Sequence, residues 1–177
     1  MEQVSPVSCT AGTMESGIVV DSDKQFITFR LGAQEYGVDI MVVREIKGWS
    51  ETTAIPNAPH FIRGVINLRG IIVPIMDLRA RFGMELTEQT QTNVVIIIIT
   101  GARTTGLLVD AVSDIISVEP TSIRPIPQLG SGAHESLLTG LVALDNRMVS
   151  LVSLEGLIGN GDLRLAVHVD AMLKPAA

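Results

Sequence analysis

The residues in this 177-residue chain whose types could do chemistry are three histidines, one cysteine and a few aspartates near strand ends. His60, His134 and His168 stand apart from one another, and none has a cysteine or carboxylate at metal-ligand spacing. Imidazoles placed singly in this way are structural far more often than ligating. Cys9 is the one cysteine, so neither a disulfide framework nor a thiolate zinc site is expected. The glycine-bearing stretches GSGAHE and GNGDLR do not follow the G-x-G-x-x-G phosphate pattern, and the chain has no Walker Gly-Lys-Thr and no G-x-S-x-G. Asp77 precedes a short apolar segment and reads as a helix cap. Asp39 and Asp110 each follow a valine at a strand end. To act as a general acid and base they would need a shared cleft, to which no pattern points. The expectation is a protein without catalysis and without a cofactor.

The elements around these residues are aliphatic and short. Apolar residues make up 46% of the chain and aromatic residues only 3%. Val, Ile and Leu in short runs favour strands. The length suits one domain or two small ones, burying roughly 70% of the unfolded surface. The formal net charge of −6 argues against a nucleic-acid surface, and few aromatics are available to stack on bases. VVIIII at 94–99 is far shorter than the ~20 residues of a membrane helix and reads as a strand buried on both faces. No direct membrane insertion is therefore expected. Residues 1–22 lack apolar periodicity and predict a disordered leader. With Glu2 near the start and no apolar core segment, a signal peptide is not expected. A cytoplasmic location follows as an expectation.

From Lys24 the pattern alternates. QFITFRL predicts a strand, Tyr36, Val38 and Ile40 continue on a second, and VVREIKGW forms a third. GVINLRGIIVPIMDLRARFG (64–83) reads as strand, tight turn, strand and short helix. TGLVALDNRMVSLVSLEGLIG (139–159) reads the same way. A shift of 76 lays Gly64, Leu68, Val73, Leu78 and Gly83 on Gly140, Leu144, Val149, Leu154 and Gly159. Upstream, Val38-Asp39 and Val43-x-Glu45-Ile46 are answered by Val109-Asp110 and Val112-x-Asp114-Ile115. The repeat predicts two similar small β-barrels, about 25–88 and 93–155. The C-terminal piece, 161–177, fits a strand or a helix, and a short helix is expected.

An interaction module is what remains. Asn67 and Gly70 suit a hairpin turn, but a turn does not require Arg69, and the matched residue in the second repeat is Asp145. Exposed arginine is enriched at binding hot spots. If the repeats fold alike, the strand of Glu45 lies beside the hairpin of Arg69, and the two charges pair; Asp114 and Asp145 cannot.

YGVDIMVVREIKGW, IPNAPHFIRGVINLRGIIVPIMDLRARFG, GLLVDAVSDII and LTGLVALDNRMVSLVSLEGLI closely resemble the CheW-type chemotaxis coupling proteins, from about Lys24 to Ile158. The resemblance implies an all-β fold with short helices, in which two five-stranded SH3-like barrels are intertwined within residues 23–160. It implies a non-enzymatic adaptor with two partners. One is the cytoplasmic tip of methyl-accepting chemoreceptors, and the other is the regulatory domain of a CheA-type histidine kinase. It also implies an association with the inner face of the membrane through receptor arrays. Carried onto this sequence, the family's binding positions fall on Val43, Glu45, Gly64 and Arg69. A CheV-type protein or the kinase's own regulatory domain shares the fold, but each brings a further domain, so a stand-alone coupling protein is expected.

Overall fold

The structure, a computed structural model, describes residues 22–128 and 135–159. The predicted leader, residue 22 aside, and the C-terminal extension lie outside the described residues. Strands dominate, in the order β1 (Lys24–Leu31), β2 (Gln34–Asp39), β3 (Val43–Gly48), β4 (Ile62–Leu68), β5 (Ile71–Asp77), β6 (Val94–Thr100), β7 (Arg103–Val109), β8 (Ala111–Val118), β9 (Leu138–Leu144) and β10 (Arg147–Val152). Two one-turn helices, α1 (Leu78–Arg81) and α2 (Leu154–Leu157), follow β5 and β10. The predicted repeat is visible element by element: β4, β5 and α1 map onto β9, β10 and α2 at the same shift of 76.

The strands form two five-stranded sheets, β3-β6-β7-β5-β4 and β8-β1-β2-β10-β9. We call them the Arg69 barrel and the Asp145 barrel after their hairpin tips. Residues 25–88 and 93–155 do not each form a barrel, and this corrects the contiguous division. The β1–β2 hairpin of the first repeat pairs with β8 and β10 of the second, and β6–β7 pairs with β3 and β5 of the first. Each repeat thus places its first hairpin in one barrel and its next three strands in the other. The chain changes barrel at Asp39, through a 3-10 turn at Ile40–Val42, and again at Asp110. The repeat marks which segments are alike, whereas pairing depends on where each hairpin buries its second face.

That burial is read off β6. Successive side chains of a strand point to opposite faces. Val95 and Ile97 enter the core inside the Arg69 barrel with Val73, Ile75 and Leu108. Ile96 and Ile98 enter a larger core between the barrels with Phe29, Leu31, Val38, Met76 and Leu157. The aliphatic run is buried on both faces, as its composition predicts. Phe26, Val142, Val149 and Leu151 fill the Asp145 barrel.

The local chemistry follows the sequence. Asp77, fully buried, accepts from the backbone N–H groups of Arg79 (3.1 Å) and Ala80 (3.4 Å) and so caps α1. It also accepts from the Thr87 backbone N–H at 2.8 Å and the Thr87 hydroxyl at 2.7 Å. Ser153 does the same for α2, its Oγ accepting from the Gly156 N–H at 3.1 Å. The Asn67 Oδ1 accepts from the Gly70 N–H at 2.8 Å and closes the β4–β5 turn.

Candidate partner-docking surface

Glu45 projects from β3 and Arg69 from the β4–β5 turn, at the two open edges of one barrel. Arg69 Nη2 lies 2.9 Å from Glu45 Oε2, so the expected pair forms. The arginine side chain is 70% exposed while the carboxylate is 24% exposed. The carboxylate therefore works as a fixed base that holds an accessible guanidinium. An exposed ion pair adds only about 0–1 kcal/mol to stability. Arg69 also sits at φ +53°, a left-handed conformation that costs a residue with a Cβ roughly 1–2 kcal/mol. The fold has little to gain from arginine at that place, and the fork remains free to meet a partner.

The other two expected positions are placed differently. Val43 stands two residues before Glu45, beside a β-bulge, and packs partly against the core between the barrels. Gly64 is buried near the start of β4, away from the turn. At φ +136°, a Cβ there would collide with the Thr53 carbonyl oxygen and lie 2.9 Å from its carbon. Thr53 and Val65 exchange both backbone hydrogen bonds at 2.9 Å, closing the barrel. Gly64 is therefore required by the close approach of the Thr53 backbone. Glu45 and Arg69 are brought together and Val43 adjoins Glu45 on β3, whereas Gly64 lies apart, buried near the start of β4.

Sequence reading missed several features of this surface. Ile46 and Ile71 are exposed on the Arg69 barrel, and Ile115 and Met148 on the Asp145 barrel. Ile46 was detectable, because Val43, Glu45 and Lys47 alternate against Arg44 and Ile46, an isoleucine on the outward face. The Asp145 barrel carries its own pair, Arg147 to Glu35 at 3.0 Å, built from β10 and β2. Asp114 instead accepts from the Ile115 N–H at 2.7 Å.

The candidate acids are occupied structurally. Asp39 accepts from the Met41 N–H at 2.9 Å. Asp110 Oδ2 accepts from the Gly32 N–H at 2.7 Å and meets Arg79 Nη1 at 3.2 Å. His60 packs edge-on against Phe61. Among the described residues, no group of three or more His, Cys, Asp or Glu could hold a metal ion. Burial pushes the Tyr36 phenol above its ordinary value, and its hydroxyl donates to Gln34 Oε1 at 2.8 Å. Among the described residues no helix is long and apolar enough to cross a membrane.

Two intertwined five-stranded barrels are the architecture of an adaptor family, and the comparisons with known proteins agree with that fold. The CheW-like domain model matches residues 25–162. The chemotaxis protein CheW of Rhizobium meliloti is 44% identical over 137 residues, covering 77% of this chain and 88% of that protein. Its counterpart in Klebsiella aerogenes is 43% identical over 146 residues, covering 82% and 88%. The crystal structure of the scaffolding protein TtCheW from Thermoanaerobacter tengcongensis superposes with a TM-score of 0.72 at 33% identity, over 79% of this chain and 90% of that one. The chain belongs to the CheW-like family. It is a chemotaxis coupling adaptor.

Proposed function

We propose that this adaptor joins the cytoplasmic tip of a methyl-accepting chemoreceptor to the regulatory domain of a CheA-type histidine kinase, and that it catalyses nothing itself. It works on the cytoplasmic side, carried to the inner face of the membrane by the receptors, and needs no cofactor. The observation that carries this reading is the Glu45–Arg69 pair, an exposed guanidinium held at 2.9 Å by a partly buried carboxylate. Val43, on the same face of β3 as Glu45, offers apolar area beside the fork, while Ile46 is exposed on the other face. Gly64 keeps the barrel closed near the start of β4. The Asp145 barrel, with Ile115 and Met148 exposed, gives the kinase a second place to dock.

Calorimetric titration of the full chain tests this. A receptor tip fragment and an isolated kinase regulatory domain are each expected to bind, and ATP is expected to give no heat. Silence with both proteins would remove the adaptor reading, and micromolar ATP affinity would remove the non-enzymatic one.

A further inference from the structure

The two barrels expose apolar side chains of different chemistry. The Arg69 barrel shows Ile46 and Ile71, hydrocarbons that mild oxidants leave alone. The Asp145 barrel shows Ile115 and Met148. Met148 stands 59% exposed on β10, and the repeat lays it on Ile72 of β5, so the thioether at this place belongs to one barrel alone. Of the other methionines among the described residues, Met76 is buried, Met84 packs against the core between the barrels, and Met41 is exposed in the turn from β2 to β3. Met148 also borders a cleft of about 390 Å³ whose walls include Gln34, Glu35, Arg147 and Ser150. Those walls carry donors. Gln34 accepts from Tyr36 through Oε1, which leaves its amide N–H groups to donate. Arg147 gives Nη1 to Glu35 and keeps further N–H groups. A thioether sulfur accepts only weakly and gains little from them, whereas a sulfoxide oxygen is a strong acceptor.

We propose that Met148 is a modification site for peroxides, and that its oxidation weakens docking on the Asp145 barrel while the Arg69 barrel stays in service. A sulfur lone pair attacks one peroxide oxygen, the O–O bond breaks and an S–O bond forms. Sulfur gives up two electrons, the peroxide takes them, and its second oxygen leaves as water, or as an alcohol from an alkyl peroxide. The side chain becomes polar and chiral. Its new oxygen turns into the cleft towards Gln34 and Arg147, and the rim loses the apolar area it offered a partner. Reduction of the sulfoxide by a thiol-dependent reductase restores the thioether. The inference rests on the kinase regulatory domain docking on this barrel, and its test keeps the two claims apart.

The full chain is prepared with Met41→Leu, which removes the other exposed methionine. It is treated with hydrogen peroxide until peptide mass mapping finds Met148 oxidised and Met76 intact, and the peroxide is then removed. Arg69→Ala is added to concentrate docking on the Asp145 barrel. Titration with the isolated kinase regulatory domain is expected to show affinity falling about tenfold on oxidation, as suits one methionine lost from an apolar contact. A Met148→Leu version, whatever its starting affinity, is expected to lose none on the same treatment, and sulfoxide reductase is expected to restore the oxidised chain. Unchanged affinity with Met148 oxidised overturns the proposal, as does an equal loss in the Met148→Leu version. The side-chain amide resonances of Gln34 read the cleft without any partner. They are expected to move on oxidation only where Met148 is present, and resonances that stay still overturn the inward turn. Should the untreated chain fail to bind the kinase domain while Gln34 still responds reversibly, the modification site stands and the kinase reading falls.

Discussion

The Arg69 barrel and the Asp145 barrel are built from matched strands, and their rims carry different ion pairs. In the first, an arginine sits at the left-handed turn position and reaches across to Glu45 on the far edge strand. In the second, an aspartate takes that position at φ +40°, where its short polar side chain is better tolerated. The arginine of that rim is Arg147, one strand further in, paired with Glu35. The apolar skeleton is common because both barrels fill similar cores. The rims diverge because nothing inside the barrels constrains them, which leaves them to be shaped by what they meet.

The comparison can be broken most forcefully at the barrel-closing glycines. Gly64→Ala is expected to cost about 2–4 kcal/mol of stability in chemical denaturation, combining a left-handed φ with a backbone clash. Gly140→Ala, at the matched place, meets the Ile123 Cγ2 methyl at 2.7 Å and the Arg124 carbonyl oxygen at a less severe 3.0 Å. A side chain can turn aside, so a smaller loss is expected. Equal losses would show that the two closures are equivalent after all.

The rim pairs give the next effect. Arg69→Ala is expected to weaken partner binding by about 2 kcal/mol while moving the melting temperature little. Combined with Glu45→Ala, it is expected to be clearly non-additive, because the carboxylate acts through the guanidinium. The same cycle on Glu35 and Arg147 reports on the other barrel. Additive losses at Glu45 and Arg69 would make them independent contacts.

The smallest expected effect lies at Tyr36, whose place in the second repeat is taken by Thr105. Burial raises the folded-state pKa of Tyr36 above the unfolded value of about 10. The unfolded chain therefore loses its phenolic proton first. The associated stability is complete below pH about 10 and is lost as pH rises through the folded value. Thermal melts between pH 9 and pH 11, stepped in roughly equal intervals around that ordinary value, are expected to decline more steeply for the native chain than for Tyr36→Phe. Parallel slopes would leave the decline to other groups.

Much of this was legible in the sequence because it is local. The strands, the Asp77 cap and the Asn67–Gly70 turn each follow from neighbouring residues. The Glu45–Arg69 pair was also within reach, since the mismatch with Asp114 and Asp145 marks it against the repeat. The exchange of hairpins was not legible from the repeat itself, because β1 pairs with β8 across most of the domain, and alternating strands accept either partner equally well. It came from the family resemblance. The family resemblance sets Gly64 among the binding positions; the carbonyl packed against it was not legible, because a glycine in a strand does not declare which backbone approaches it. The Arg79–Asp110 tie depends on how the two barrels meet, and no single segment encodes that meeting.

The exchange of hairpins also governs how this molecule fails. A tandem of independent barrels could lose one and keep the other, leaving a plug that still fits a single socket. Here the β1–β2 hairpin completes one barrel and β3 to β5 build the other, so a lesion in either repeat damages both. Unfolding is then expected to be a single event for the domain, and under the proposed adaptor role a broken copy would let go of receptor and kinase together. An assembly built from such units would have no half-wired members: each copy either bridges or is absent.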